Sequence, residues 1–102
     1  MYKVTVLYKY PQNVDAFEKY YEEEHLPRAR KMPMLSKLEL TKFESASDGS
    51  KPEYYRMAEL YFSSKQVMQD SMGAHESQEV IDDLQNFATG GVTVLLGGSE
   101  ED

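Results

Sequence analysis

The sequence predicts one α+β domain: a four-stranded antiparallel sheet with its helices packed on one face. Its length of 102 residues is that of a single domain. Segments rich in β-branched and aromatic residues alternate with segments of helical periodicity in the order β-α-β-β-α-β. Right-handed connections in this split βαβ order place both helices on the same side. We expect the domain to span residues 1–97 and residues 98–102 to form an acidic tail.

The first half of the chain predicts one strand and one helix. Residues 2–9 alternate β-branched, aromatic and polar side chains, which is typical of a strand. Asn13 is a suitable N-cap for a helix over 14–24. Pro27 is expected to end this helical region, because proline lacks the N–H that an interior position would donate.

The second half predicts three strands and two helices. Ser63 or Ser64 is the expected N-cap of the first of these helices, and the glycines at 90 and 91 end the second. The predicted order is a strand over 35–43, a loop over 44–52, a strand over 54–62, helices over 65–73 and 77–88, and a strand over 92–96.

Composition disfavours several classes of function. The formal net charge of −7 argues against nucleic acid and anionic membranes as partners. The absence of cysteine excludes disulfides, thiolate catalysis and cysteine-ligated metals. No short-spaced His/Asp/Glu motif and no glycine-rich dinucleotide motif occurs, so neither a metal nor a cofactor is expected. With no signal-type or membrane-length apolar run, a cytoplasmic location is the expectation.

His25 is the first candidate for acid–base chemistry. Only histidine has an unperturbed pKa near neutral pH, and the chain has one other, His75. His25 follows an amphipathic helical segment, so it is expected at the edge of whatever that segment packs against. The alternative is that His25 caps or packs the helix end without a chemical role. A haem-ligand role is a further alternative.

The strands divide into two faces. A smooth aliphatic set is expected to contact the helices: Val4, Val6, Ala58, Leu60, Phe62, Val92 and Val94. The opposite set mixes apolar and polar side chains: Thr5, Leu7, Leu38, Leu40, Met57, Glu59, Tyr61, Thr93 and Leu95. So apolar a face predicts burial, either in a homodimer that closes two sheets into a barrel or around a small molecule. Thr5, Leu7, Met57 and Tyr61 are the predicted pocket residues.

Glu59 is the second candidate for acid–base chemistry. A carboxylate within an apolar strand costs free energy unless it is paired or protonated. It could act as a general acid or base, alone or orienting His25. The alternative is a structural hydrogen bond or an ion pair across the dimer.

Several segments together resemble a known family. They are Lys3–Tyr8 with Pro11, Ala16–Phe17 with Tyr20–Tyr21, His25–Pro27, Tyr54–Arg56, Glu59–Phe62 and Asn86–Val94. The chain resembles the EthD-like family, named for ethyl tert-butyl ether degradation. The resemblance implies a ferredoxin-like fold, a dimeric α+β barrel and a pocket between sheet and helices. Two positions depart from the family pattern: Arg28 stands where leucine is usual, and Met34 where glycine is usual.

The resemblance leaves the activity open. The named family member looks like an accessory of an ether-degrading monooxygenase system, and similar barrels include cofactor-free monooxygenases, polyketide cyclases and muconolactone isomerases. One hypothesis is therefore a cofactor-free enzyme acting on a small hydrophobic or aromatic molecule, with His25 and Glu59 catalytic. The alternative is a non-catalytic dimer that binds such a molecule for an oxygenase. A purely structural role in a larger complex is a third hypothesis.

Overall fold

The computed structural model describes residues 1–101, and Asp102, the end of the expected acidic tail, lies outside them. The elements follow the predicted order. They are β1 (Tyr2–Tyr8), α1 (Val14–Tyr20), a π-helical turn (Tyr21–His25), α2 (Leu26–Ala29), β2 (Lys37–Lys42), β3 (Arg56–Phe62), α3 (Lys65–Met72), α4 (His75–Phe87) and β4 (Val92–Gly98). Asn13 and Ser64 cap α1 and α3 through their side-chain oxygens, as predicted.

The strands form one antiparallel sheet in the order β2-β3-β1-β4. This confirms the predicted α+β, ferredoxin-like fold. β1 lies at the centre, where it pairs Val4 with Leu60 of β3 and with Leu96 of β4. Alternate residues of the sheet point toward the helices and away from them.

The inner face of the sheet is the one that the helices cover, and Val4, Val6, Ala58, Leu60 and Phe62 are buried there. The prediction for β2 was wrong. Leu38 pairs with Leu60 and Leu40 with Ala58, so these two leucines lie on the inner face. The outer face of the sheet receives the alternate residues of β2 instead: Lys37, Glu39 and Thr41. The outer face is therefore more polar than predicted.

Pro27 does not end the first helical region. The backbone N–H of Leu26 donates to the carbonyl of Tyr21 five residues earlier, which makes the turn over Tyr21–His25 π-helical. Pro27 then occupies the first turn of α2, where its missing N–H costs little. The π-helical turn is therefore followed directly by α2, and the helical region continues past Pro27 to Ala29.

The glycines after α4 allow the chain to turn tightly into β4. A Cβ on Gly90 would lie only 1.9 Å from the carbonyl oxygen of Tyr10. Gly91 adopts φ +107°, which favours glycine. Its carbonyl accepts from the Lys9 N–H at 3.0 Å and so joins β4 to the end of β1. Within residues 1–101, no helix is long and apolar enough to cross a membrane.

Candidate functional site

His25 is buried and paired with the carboxylate of Asp83, which is not among the predicted site residues. Its Nδ1 lies 2.8 Å from Oδ2 of Asp83 on α4. The two residues are only 4% and 6% exposed. A histidine held by a buried carboxylate is a common arrangement for general acid–base catalysis, because the carboxylate fixes the ring and its tautomer.

Asp83 has further partners. Oδ1 accepts a hydrogen bond from the Tyr20 hydroxyl at 2.5 Å and from Nδ2 of Asn86 at 3.0 Å. The guanidinium of Arg28 lies 3.9 Å from Oδ2, and it also donates to the Glu24 carbonyl at 2.8 Å. The carboxylate is therefore compensated on both oxygens, as a buried charge requires.

The electrostatics favour the neutral form of His25 near pH 7. Burial lowers the pKa of His25, and this outweighs the opposing hydrogen bond to Asp83. Burial alone would raise the pKa of Asp83, but hydrogen bonds from Tyr20, Asn86 and His25 hold the pKa of the carboxyl below its usual range. At pH 7 a neutral imidazole thus faces an ionised carboxylate. Nδ1 must donate to it, which leaves the lone pair on Nε2.

A largely apolar cavity of about 250 Å³ lies between the inner face of the sheet and the helices, and the His25 ring lines it. Since Asp83 occupies Nδ1, Nε2 is the ring nitrogen left for a ligand. Ile81 and Val94, which also line the cavity, are 41% and 47% exposed, so the cavity opens between α4 and β4. Other lining residues are Val4, Val6, Leu26, Ala29, Leu38, Ala58, Leu60, Val80 and Leu84.

Aromatic rings fix the orientation of the histidine. The His25 ring stacks on Tyr21 at 5.9 Å between centroids and 13° between planes, and it packs against Phe87 at 4.4 Å. Tyr8 and Tyr21 also line the cavity. Burial raises the pKa of both phenols, that of Tyr21 to about 12, so both are neutral at pH 7. The Tyr21 hydroxyl is buried without a hydrogen-bond partner in the described chain.

The structure does not bring the other predicted site residues to His25. Glu59 lies on the outer face of the sheet, where its Oε2 accepts from Lys3 Nζ at 2.6 Å and from the Tyr61 hydroxyl at 3.4 Å. The register places the predicted pocket residues on the same outer face: Thr5, Leu7, Met57 and Tyr61. Glu59 cannot orient His25 from there. A pocket on the outer face stays a prediction that a second copy would have to complete.

Asp83 could have been found in the sequence. It lies between Val80 and Phe87, three residues after the first and four before the second, which places it on the buried stripe of α4. A carboxylate on such a stripe costs free energy unless it has partners, so it indicates a buried polar contact.

The structure also shows where the second histidine, His75, and the unusual Met34 lie. His75 begins α4, is 82% exposed at its side chain and contacts Glu79 at 2.9 Å. Met34 adopts φ 63°, a conformation in which glycine is favoured over other residues. In residues 1–101, no group of three or more His, Cys, Asp or Glu side chains could hold a metal ion.

The family model described as the EthD domain matches residues 9–91. The chain belongs to the EthD family. This EthD protein is 36% identical over 100 residues to an uncharacterised 11.0 kDa protein of the thcB–thcC intergenic region of Rhodococcus erythropolis, covering 98% of this chain and 96% of the relative.

Solved structures of other proteins share the fold of this EthD protein. A crystal structure of an ethyl tert-butyl ether degradation family protein from Bacillus halodurans superposes with a TM-score of 0.92 at 28% identity, covering 98% of this chain and 99% of the other. A dimeric ferredoxin-like protein of unknown function from Thermobifida fusca gives a TM-score of 0.70 at 6% identity, covering 96% and 90%. That second likeness concerns the fold alone.

Proposed function

We propose that this EthD protein binds a small, largely apolar molecule in the inner-face cavity and that His25 acts on it as a general acid–base, with Asp83 as its partner. The observation that carries the proposal is the His25–Asp83 hydrogen bond of 2.8 Å at the wall of an apolar cavity. In that arrangement Nε2 is a base next to space that a ligand can occupy.

The cavity supports a particular kind of substrate. About 250 Å³ suits a small molecule, and the apolar walls would leave an ionised ligand group without compensation. We therefore expect a neutral hydrophobic or aromatic compound with one acidic C–H or O–H directed at Nε2. Isomerisation or dehydration balances without a co-reactant, because the proton taken at one atom returns to another. Oxygenation of the resulting carbanion would need dioxygen.

A non-catalytic role is the second candidate, and the position of Glu59 favours it. Glu59, which the sequence predicted to act alone or to orient His25, lies on the outer face and does not line the cavity. His25 would then be a polar anchor for a hydrophobic metabolite that the protein passes to a partner enzyme such as an oxygenase.

We also propose that the outer face forms a homodimer in the cytoplasm. The outer face carries apolar side chains that a single chain leaves uncovered, among them Leu95, which is 53% exposed. The fold neighbour from Thermobifida fusca, described as dimeric, supports this assembly. Two sheets packed face to face would form the dimeric α+β barrel.

The test is a thermal-shift screen of small phenols, quinones, lactones and ethers against wild type, His25→Ala, His75→Ala and Ala58→Leu. Ala58→Leu fills the cavity, and His75→Ala removes an exposed histidine as a control. A ligand at ~100 times its Kd adds about 2.7 kcal/mol to the stability of the folded protein. The proposal expects hits on wild type and His75→Ala that weaken in the other two variants.

Turnover then separates the two candidate functions. If a ligand that binds is converted by wild type and not by His25→Ala, the acid–base role holds. Binding without conversion supports the carrier role. Binding that neither Ala58→Leu nor His25→Ala affects would contradict the inner-face site.

A further inference from the structure

The two oxygens of Asp83 accept hydrogen bonds from different side chains. Oδ2 accepts from Nδ1 of His25 at 2.8 Å, while Oδ1 accepts from Tyr20 at 2.5 Å and from Asn86 at 3.0 Å. These donors come from the π-helical turn, α1 and α4 respectively. Tyr20 is not among the residues that line the cavity, and its hydroxyl is linked to His25 through the shared carboxylate.

Tyr20 lines a different opening from the one that His25 lines. With Asn86 it lines a surface cleft of about 240 Å³, whose lining includes Gln12, Asn13 and Thr89 as well as Phe17 and Phe87. Asp83 therefore bonds to one residue that lines the apolar cavity, His25, and to two that line the surface cleft, Tyr20 and Asn86. Without donors from the cleft side, the carboxylate would be free to turn and would depend on His25 for its compensation.

Resting on the proposed function, we propose that Tyr20 is a positioning residue for His25. Its hydroxyl, supported by Asn86, fixes the Asp83 carboxylate so that the His25 proton stays on Nδ1 and the Nε2 lone pair stays in the cavity. Which ring nitrogen of a histidine carries the proton is set by the hydrogen bond made at the other. The substrate-facing nitrogen would then depend on a tyrosine that never touches substrate.

Groups on each neighbouring element bear on the charge of His25. Tyr8 on β1 and Tyr21 in the π-helical turn are neutral phenols at pH 7, because burial raises their pKa. Arg28 on α2 places a positive charge 3.9 Å from Asp83 Oδ2 and is 39% exposed at its side chain. Tyr20 and Asn86 supply neutral donors to Oδ1. Loss of the Tyr20 hydroxyl would leave more negative charge on the oxygen that faces His25, which favours imidazolium.

The experiment is a ¹⁵N NMR titration of the histidine rings in wild type, Tyr20→Phe, Asn86→Ala and Tyr10→Phe. Tyr10 packs against Tyr55, where its ring lies under Lys51, so Tyr10→Phe is a matched control for loss of a phenol hydroxyl. The exposed His75 provides an internal reference in every spectrum. We expect Tyr20→Phe to raise the pKa of His25, because the Asp83 carboxylate then offers more negative charge to the imidazole ring. Asn86→Ala should act in the same direction with a smaller shift, and Tyr10→Phe should match wild type.

An unchanged pKa of His25 in folded Tyr20→Phe would overturn the positioning role and leave Tyr20 a packing residue. If Tyr20→Phe does not fold, Asn86→Ala decides in its place, because the Asn86 residue is exposed and its loss is tolerable. The titration needs no ligand, so its failure is distinct from that of the proposed function. Ligand binding that ignores His25→Ala would contradict the function and leave the titration result intact.

Discussion

A buried carboxylate lies on each side of the sheet, Glu59 on the outer face and Asp83 on the helix side, and the two are compensated by different partners. On the outer face, Glu59 pairs with Lys3 at 2.6 Å, and the lysine side chain is 30% exposed. Toward the inner face, Asp83 pairs with His25 at 2.8 Å, with both side chains at most 6% exposed. Lysine neutralises Glu59 permanently, whereas a neutral histidine leaves a usable base beside Asp83.

A buried carboxylate indicates function only together with its partner. A lysine at the surface has its proton over the whole physiological range, so the Lys3–Glu59 pair has no group poised to exchange one near pH 7. The His25–Asp83 pair has such a group, and it borders a cavity. This contrast is why we propose acid–base chemistry for the inner face and association for the outer face.

The largest expected effect is on the free energy of unfolding. Asp83→Asn removes an acceptor that three side chains share, and an amide cannot accept from all of them. We expect a loss of about 2 kcal/mol. Glu59→Gln, the matched change on the outer face, should cost less than about 1 kcal/mol, because the Lys3 pair is partly solvated. Urea unfolding measures both, and equal losses would remove the contrast between the faces.

The next effect concerns pH. The folded-state pKa of His25 lies below its ordinary value of 6.5, so the unfolded chain takes up the proton first on acidification. This contribution to stability is present above about pH 6.5 and is lost as pH falls toward the folded-state pKa. His25→Gln should reduce the change of the urea unfolding midpoint with pH over that range, and His75→Gln should not. A wild-type profile that His25→Gln leaves unchanged would contradict a depressed pKa.

Substitutions at two neighbouring residues of β4 test dimer formation and ligand binding separately. Leu95 pairs with Thr5 on the outer face, whereas Val94 pairs with Val6 on the inner face and lines the cavity. Leu95→Glu should convert the proposed homodimer to monomers in sedimentation equilibrium and retain ligand binding. Val94→Glu should retain the dimer and weaken the ligand. The reverse pattern would exchange the roles of the faces.

The smallest expected effect is a salt dependence. At about 1 M ionic strength the Debye length is about 3 Å, so partly exposed pairs are screened and buried pairs much less. The destabilisation by Glu59→Gln should shrink in high salt, while that of Asp83→Asn should stay. Denaturation by urea at low and high NaCl provides the comparison, and a shrinking Asp83→Asn effect would mean that water reaches the pair.

The sequence predicted the order of the elements because their periodicities are clear. It placed Leu38 and Leu40 on the wrong face, because alternation within β2 separates its two faces but only pairing with β3 tells which one points inward. It missed the passage of the helix through Pro27, since a π-helical turn has no local signature there. His25 stood out by residue type, but its partner lies 58 residues away, and only tertiary packing brings Asp83 to it.

The most direct test of the central claim is a methyl NMR map of the protein with a ligand from the thermal-shift screen. Methyl groups mark both faces: Val6, Val80 and Leu84 line the cavity, while Leu7, Met57 and Leu95 lie on the outer face. We predict shifts in the first set, together with the His25 ring signals, and none in the second. Shifts confined to the outer-face methyls would contradict the assignment of the site to the His25–Asp83 cavity.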